Sequence, residues 1–151
     1  MKFSFTMFLA TGFFSGYLPK APGTWGSLAA VPLWFLLSYL DVSAYGLMLV
    51  AVFLVGWFVA GEAEKILDKP DPGCVVIDEI FGMFITLFAA PRQLTVAVAA
   101  FLLFRLFDIW KPFPVSWFDR RVNGGLGIML DDAMAGIYAF LTLRILFFFG
   151  L

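Results

Sequence analysis

Long apolar runs alternate with short polar connections along this chain. Five such runs cover residues 23–40, 44–61, 75–90, 94–110 and 132–151. At ~1.5 Å of helix rise per residue, runs near ~20 residues are long enough to cross bilayer hydrocarbon, and the third and fourth are short for a span. The first 18 residues are also apolar, but Thr11, Gly12, Ser15 and Gly16 interrupt them, which favours an interfacial or re-entrant helix. The pattern therefore predicts an all-α, polytopic membrane bundle of about five spans in a single domain, residues 1–151.

Composition agrees with a membrane protein. The chain is 62% hydrophobic and 14% charged, whereas soluble domains average ~45–50% and ~25%. A net charge of −1 without a long basic run argues against nucleic-acid binding. The one cysteine, Cys74, excludes an intramolecular disulfide.

The basic residues predict the orientation of the bundle. With five spans, the segment before residue 23 and the connections 62–75 and 111–131 share one side of the membrane. That side holds Lys2, Lys20, Lys65, Lys69, Lys111, Arg120 and Arg121, and the turns of the other side hold only Arg92. By the positive-inside rule the loaded side is cytoplasmic. Every acidic residue except Asp41 lies on that side or at a helix end facing it, so we expect the chemistry at the cytoplasmic surface.

Two acidic pairs stand where apolar runs begin. Asp78 and Glu79 open the third predicted span, and Asp131 and Asp132 open the last. Carboxylates beside apolar segments are costly unless they are paired, hydrated or bound to metal. The chain has no histidine, so the pairs predict a divalent cation of the magnesium type, which prefers oxygen ligands. The alternative is that they are ordinary acids at helix N-termini, stabilised by the helix dipole.

Basic and polar groups near the predicted spans could bind phosphate. Arg105 and Asp108 lie one helical turn apart at the end of the fourth span, and Lys111 follows it. A guanidinium suits phosphate oxygens, although an intrahelical ion pair and a snorkelling lysine would explain the same residues.

Two glycine-containing segments are further candidates for contact with an anion. Residues 19–27 bring Lys20, Thr24 and Ser27 to the start of the first span, where backbone N–H groups can bind an anion. Helix capping by Thr24 and Ser27 is the alternative. Residues 123–127 predict a second, flexible loop just before Asp131.

Three segments together resemble the phosphatidylglycerophosphatase A family. They are 21–27 (APGTWGS), 76–79 (VIDE) with Gly82, and 104–112 (FRLFDIWKP) continuing through Gly124, Gly125 and 127–129 to Asp131, Asp132, Ala135 and Gly136. The resemblance spans about residues 12–140. It implies a Mg²⁺-dependent, multi-pass phosphatase of the bacterial inner membrane, facing the cytoplasm. Such enzymes remove the terminal phosphate of phosphatidylglycerophosphate and leave phosphatidylglycerol.

The residues and the resemblance give one site hypothesis. The expected catalytic metal ligands are Asp78, Glu79, Asp131 and Asp132, with Asp108 and Glu62 as additional candidates. Arg105, Lys111 and Lys20 would neutralise phosphate charge. The metal is expected to polarise the phosphoryl group and activate a water with one carboxylate as base, unless an aspartate is the nucleophile.

Two other functions would fit an apolar chain with buried acids. An ion- or proton-coupled transporter predicts carboxylates deep in several spans, whereas here they gather at one end. A structural membrane subunit would leave that convergence unexplained. The oligomeric state stays open.

Overall fold

A computed structural model describes residues 4–150, and this part of the chain is helical and contains no strand. The α-helices are α1 (Phe5–Ala10), α2 (Pro22–Leu37), α3 (Val42–Leu67), α4 (Ile77–Thr86), α5 (Leu94–Trp110), α6 (Val115–Arg121) and α7 (Gly124–Phe148), and Ser15–Tyr17 forms a 3₁₀ helix. The predicted all-α class is confirmed.

Each predicted apolar run contains a helix, but the helices differ in length. Two of those described, α3 and α7, are long and apolar enough to cross a membrane, with 26 and 25 residues. Helices α2 and α5 have 16 and 17 residues, and α4 has 10. The structure thus confirms that the apolar runs are helical, and two of the described helices have the length of a membrane crossing.

The predicted beginning of the last helix is wrong. Helix α7 begins at Gly124, so residues 123–127 are not a flexible loop. A Cβ on Gly125 would clash with the carbonyl of Trp57 and lie 2.5 Å from the backbone nitrogen of Gly61. The glycine therefore lets the first turn of α7 pack directly against α3, and this packing outweighs the low helix propensity of glycine.

The N-terminal segment packs against the start of α4. Helix α1 spans ~9 Å, too short to cross a bilayer. The interfacial or re-entrant placement of this segment stays a prediction, and residues 1–3 of it lie outside the described residues. Left-handed φ angles at Gly12, Phe13 and Phe14 then reverse the chain. The backbone N–H of Val76 donates to the carbonyl of Ala10 at 2.9 Å, which fixes the residue two positions before Asp78.

Helix α4 lies at the centre of the fold and runs parallel to α7. Its residues Ile80, Met83 and Phe84 belong to the main hydrophobic core. A Cβ on Gly136 of α7 would lie only 2.6 Å from the carbonyl oxygen of Gly82. The two backbones therefore touch at this glycine pair, and small residues at such crossings are what allows close helix approach.

Candidate functional site

Three buried aspartates converge between α4 and α7. Asp78, Asp131 and Asp132 each offer one carboxylate oxygen, and these oxygens lie within 4.8 Å of one another. The residues are 8%, 8% and 3% exposed. Asp78 lies in the first turn of α4, as predicted. Asp131 and Asp132 do not open the last helix, because α7 has already begun at Gly124, and Asp132 is ~12 Å along it.

The glycine contact between the helices explains why the aspartates meet. Gly82 and Gly136 each lie four residues after an aspartate, Asp78 and Asp132. Residues four apart share one face of a helix. Two parallel helices that touch at the glycines therefore bring the aspartates of the preceding turn to the same point.

Three carboxylate oxygens in this region are buried without a hydrogen-bond donor among residues 4–150. They are Asp78 Oδ1, Glu79 Oε2 and Asp132 Oδ2. A buried acceptor without a partner is costly, and a buried charge more so. The arrangement fits a site for a divalent cation, since Asp78, Asp131 and Asp132 bring carboxylate oxygens within 4.8 Å of one another and hard cations take several oxygen ligands.

Glu79 lies on the side of this cluster where three helices converge. A Cβ on Gly23, at the start of α2, would be 2.5 Å from Glu79 Oε1 and 2.9 Å from a guanidinium nitrogen of Arg105. Arg105 also forms an ion pair with Asp108, one turn along α5. The predicted intrahelical pair therefore exists, and the same arginine faces the carboxylate site. Asp108 in turn interacts electrostatically with Asp132.

The other predicted phosphate ligands at the start of α2 are less directly placed. Ser27 is buried and its hydroxyl donates to the carbonyl of Gly23 at 2.7 Å, and Thr24 lies inside the helix, so neither residue is its N-cap. Lys20 is exposed on the preceding loop. The indole N–H of Trp25 donates to the carbonyls of Pro19 and Lys20 at 3.2 and 3.1 Å, a brace that the sequence did not reveal.

Lys111 connects the aspartate cluster to α6. Its ammonium donates to Asp119 Oδ1 at 2.5 Å and to Asp131 Oδ2 at 3.3 Å. Burial alone would lower the pKa of Lys111, but the hydrogen bonds and charges of Asp119 and Asp131 outweigh it, and the pKa lies above its usual value. Lys111 therefore remains charged and holds Asp131 in place.

A polar cavity of about 320 Å³ opens beside Asp131. It is lined by residues of four segments, among them Glu64, Asp71, Asp119, Asn123 and Asp131. Glu64 and Asp119 were not among the site residues predicted from the sequence. Burial raises the pKa of Asp71 above its usual value.

Glu62, an additional predicted ligand, is not among the three clustered aspartates. Its carboxylate pairs with Lys65 of the same helix at 2.6 Å. Instead, Glu64 faces the cavity and accepts a hydrogen bond from the backbone N–H of Asp71 at 2.9 Å. Two residues along a helix correspond to ~200° of rotation, so the two glutamates point in nearly opposite directions.

Sequence comparison identifies the family. Residues 8–147 match the family described as Phosphatidylglycerophosphatase A. The chain belongs to this family. A Phosphatidylglycerophosphatase A of Escherichia coli is 45% identical over 143 residues, which cover 94% of this chain and 81% of that protein. One of Haemophilus influenzae is 45% identical over 133 residues, covering 87% and 82%.

The chain is also similar to a protein named for another lipid. A Bacteroides thetaiotaomicron protein, named as a candidate phosphatidylinositol-3-phosphatase, is 39% identical over 145 residues, covering 91% of this chain and 90% of that protein. No solved structure matches the chain.

Proposed function

We propose that this protein hydrolyses phosphatidylglycerophosphate to phosphatidylglycerol and inorganic phosphate. The observation that carries the proposal is the cluster of Asp78, Asp131 and Asp132, in which Asp78 and Asp132 bury carboxylate oxygens without donors in the described part of the chain, and whose neighbour Glu79 lies close to Arg105. Relatives that are 45% identical to this chain over the aligned residues are named for this activity. No such relationship favours the alternative of a transporter.

The aspartate cluster fits a Mg²⁺ ion. Asp78, Asp131 and Asp132 would hold it, since each contributes an oxygen to the same small volume. When bound, the ion would polarise the phosphoryl group and lower the pKa of a water molecule. The orphaned oxygens of Asp78 and Asp132 would then have a partner.

The surrounding side chains divide the remaining work. Arg105, held by Asp108, neutralises charge on the phosphate and orients it. Glu79, whose Oε2 is buried without a donor in the described part of the chain, accepts the proton of the attacking water. Water adds to phosphorus, the bond from phosphorus to the glycerol oxygen breaks, and a proton passes to that oxygen. Lys111 keeps Asp131 oriented.

The direct test is phosphate release by the purified protein in detergent with Mg²⁺ and with EDTA. The panel contains phosphatidylglycerophosphate, phosphatidic acid and phosphatidylinositol 3-phosphate, the last because of the Bacteroides relative. We expect the first lipid to be preferred and EDTA to abolish release. Asp78→Asn and Glu79→Gln should both be inactive. Full activity in EDTA would reject the metal, and release from none of the lipids would reject the function.

We further propose about five membrane crossings, by α2, α3, α4 with its flanking residues, α5 and α7, in a bacterial inner membrane with the site towards the cytoplasm. The distribution of basic residues supports this orientation. Cys74, the one cysteine, offers a test. A membrane-impermeant maleimide should label Cys74 only in inside-out vesicles. In a Cys74→Ser background, Arg92→Cys should be labelled only in right-side-out vesicles, and the reverse pattern would overturn the orientation.

A further inference from the structure

An apolar groove of about 230 Å³ runs between α2 and α5. Its walls are Leu28, Val31 and Pro32 of α2 and Ala97, Val98 and Phe101 of α5. Every one of these side chains is a hydrocarbon. Pro32 has no N–H to donate to the carbonyl of Leu28, and Ala97 has only a methyl group, so both residues leave room between the helices.

The groove lies on the same pair of helices as Gly23 and Arg105 of the candidate site. Helices α2 and α5 are antiparallel, with Gly23 next to Arg105 and Leu28 next to Phe101. Phe101 is one turn from Arg105 along α5. Leu94, at the far end of the groove, is ~16 Å from Arg105 along the same helix. The arginine proposed to bind phosphate is thus followed, about one helical turn further along the same pair of helices, by an apolar groove.

We propose that the α2–α5 groove holds one acyl chain of the lipid substrate while its phosphate lies at Arg105. The inference rests on the proposed function and adds where the hydrophobic part of the substrate binds. A lipid phosphate joins an anionic head to long hydrocarbon chains, and the site and groove present the matching chemistries in the same order. Burial of the chain in this groove makes hydrolysis depend on chain length.

A second apolar groove of about 240 Å³ provides an internal control. It lies on the other side of α2, where Leu33, Val55, Ile77 and Ile80 contribute to its walls. The α4 residues in this groove lie on the helix face that carries Ile77. Glu79 is two residues further along α4, which corresponds to a rotation of ~200°, so it lies on nearly the opposite face. This groove therefore does not continue from the arginine, and ordinary bilayer lipid would occupy it.

The test fills each groove with a matched substitution. Val98 and Val55 are both helical valines with half-exposed side chains, 50% and 46%, one in each groove. Val98→Trp, Leu28→Trp and Val55→Trp are assayed with dipalmitoyl and with dihexanoyl phosphatidylglycerophosphate at a fixed mole fraction in detergent. We expect Val98→Trp and Leu28→Trp to lower kcat/KM for the dipalmitoyl lipid about tenfold, because several methylene contacts are lost. Hydrolysis of the dihexanoyl lipid by the same proteins should stay near wild type and demonstrates that they are folded.

The outcomes separate the two proposals. Selective loss on the long-chain lipid in the two α2–α5 variants, with Val55→Trp unaffected, is the expected result. Equal activity of the wild-type protein on both lipids, or equal effects of Val98→Trp and Val55→Trp, would overturn the groove and leave the phosphatase intact. A wild-type protein that hydrolyses neither lipid would overturn the proposed function itself.

Discussion

At one end of the α4–α7 pair, Asp78 and Asp132 bury carboxylate oxygens with no donor in residues 4–150. At the other end, a guanidinium nitrogen of Arg144 donates to the carbonyls of Phe88 and Ala89 at 2.5 and 3.0 Å. The same arginine lies over the rings of Phe140 and Phe147, 5.0 and 5.7 Å from their centroids. Buried acceptors thus lack a donor at the first end, whereas the carbonyls at the second end have one.

The difference separates stability from function. Arg144 satisfies carbonyls at the C-terminal end of α4 that have no partner within the helix, so its charge stabilises the fold. The aspartates have no such compensation and destabilise the protein until something binds them. Substitutions at the two ends should therefore affect different measurements.

The largest effect is expected for Asp132→Asn. Removal of the charge should reduce phosphate release on the order of a thousandfold, equivalent to about 4 kcal/mol of transition-state stabilisation. The metal-free protein should be no less stable, because a buried charge has been removed. Phosphate release and thermal unfolding in EDTA measure the two effects, and an Asp132→Asn protein with normal turnover would remove Asp132 from the site.

Gly136→Ala should affect both activity and stability. The added methyl group would lie 2.6 Å from the carbonyl oxygen of Gly82 and would push α4 away from α7. We expect activity to fall on the order of a hundredfold, since a ~1 Å displacement of catalytic groups has this effect. The free energy of unfolding should fall by about 2 kcal/mol. Gly46→Ala is the matched control, because a Cβ there meets nothing within 4 Å, and a similar loss in both variants would contradict the contact.

Arg144→Met should lower stability and spare catalysis. Two carbonyls lose a charged donor, which corresponds to about 2 kcal/mol and a decrease in Tm of roughly 4–8 °C. Arg144→Lys should be intermediate, since it keeps the charge but not the planar fork. Thermal unfolding in detergent gives the first quantity, and kcat at a temperature below both transitions gives the second. A kcat reduced as strongly as in Asp132→Asn would break the separation between the two ends.

The smallest effects are expected on α3. Glu64→Gln should lower activity about threefold, because Glu64 accepts the hydrogen bond that orders residue 71 at the cavity. Glu62→Gln should stay within about twofold of wild type, as expected for an exposed surface pair. Phosphate release by the two variants, assayed in parallel, shows which glutamate matters more. A larger loss of activity in Glu62→Gln than in Glu64→Gln would support Glu62 as a metal ligand.

The hydropathy pattern predicted which regions are helical better than it predicted the residues at which the helices begin and end. The five apolar runs each contain a helix, because long continuous apolar runs favour helices without any tertiary information. The start of α7 was missed because Gly124, Gly125 and Gly127 are typical of a loop in the sequence. Only the neighbouring backbone of α3 shows that these glycines belong to a close helix contact.

The carboxylates could be proposed from the sequence, but their arrangement could not. Asp78, Asp131 and Asp132 were all predicted, because acids beside apolar runs are rare and costly. That Asp78 meets Asp132 depends on the register of α4 against α7, which Gly82 and Gly136 determine in three dimensions. The choice between Glu62 and Glu64 depends on the rotation of α3, which a chain with apolar residues on all sides does not reveal.

The cavity beside Asp131 bears on the supply of solvent. At ~30 Å³ per molecule, its volume of about 320 Å³ corresponds to roughly ten waters. Hydrolysis consumes one water for each bond broken, and Asp132 lies ~12 Å along a helix that is otherwise largely apolar. For a hydrolase built this way, the cavity would bring the reacting water to the carboxylates beside an otherwise apolar helix.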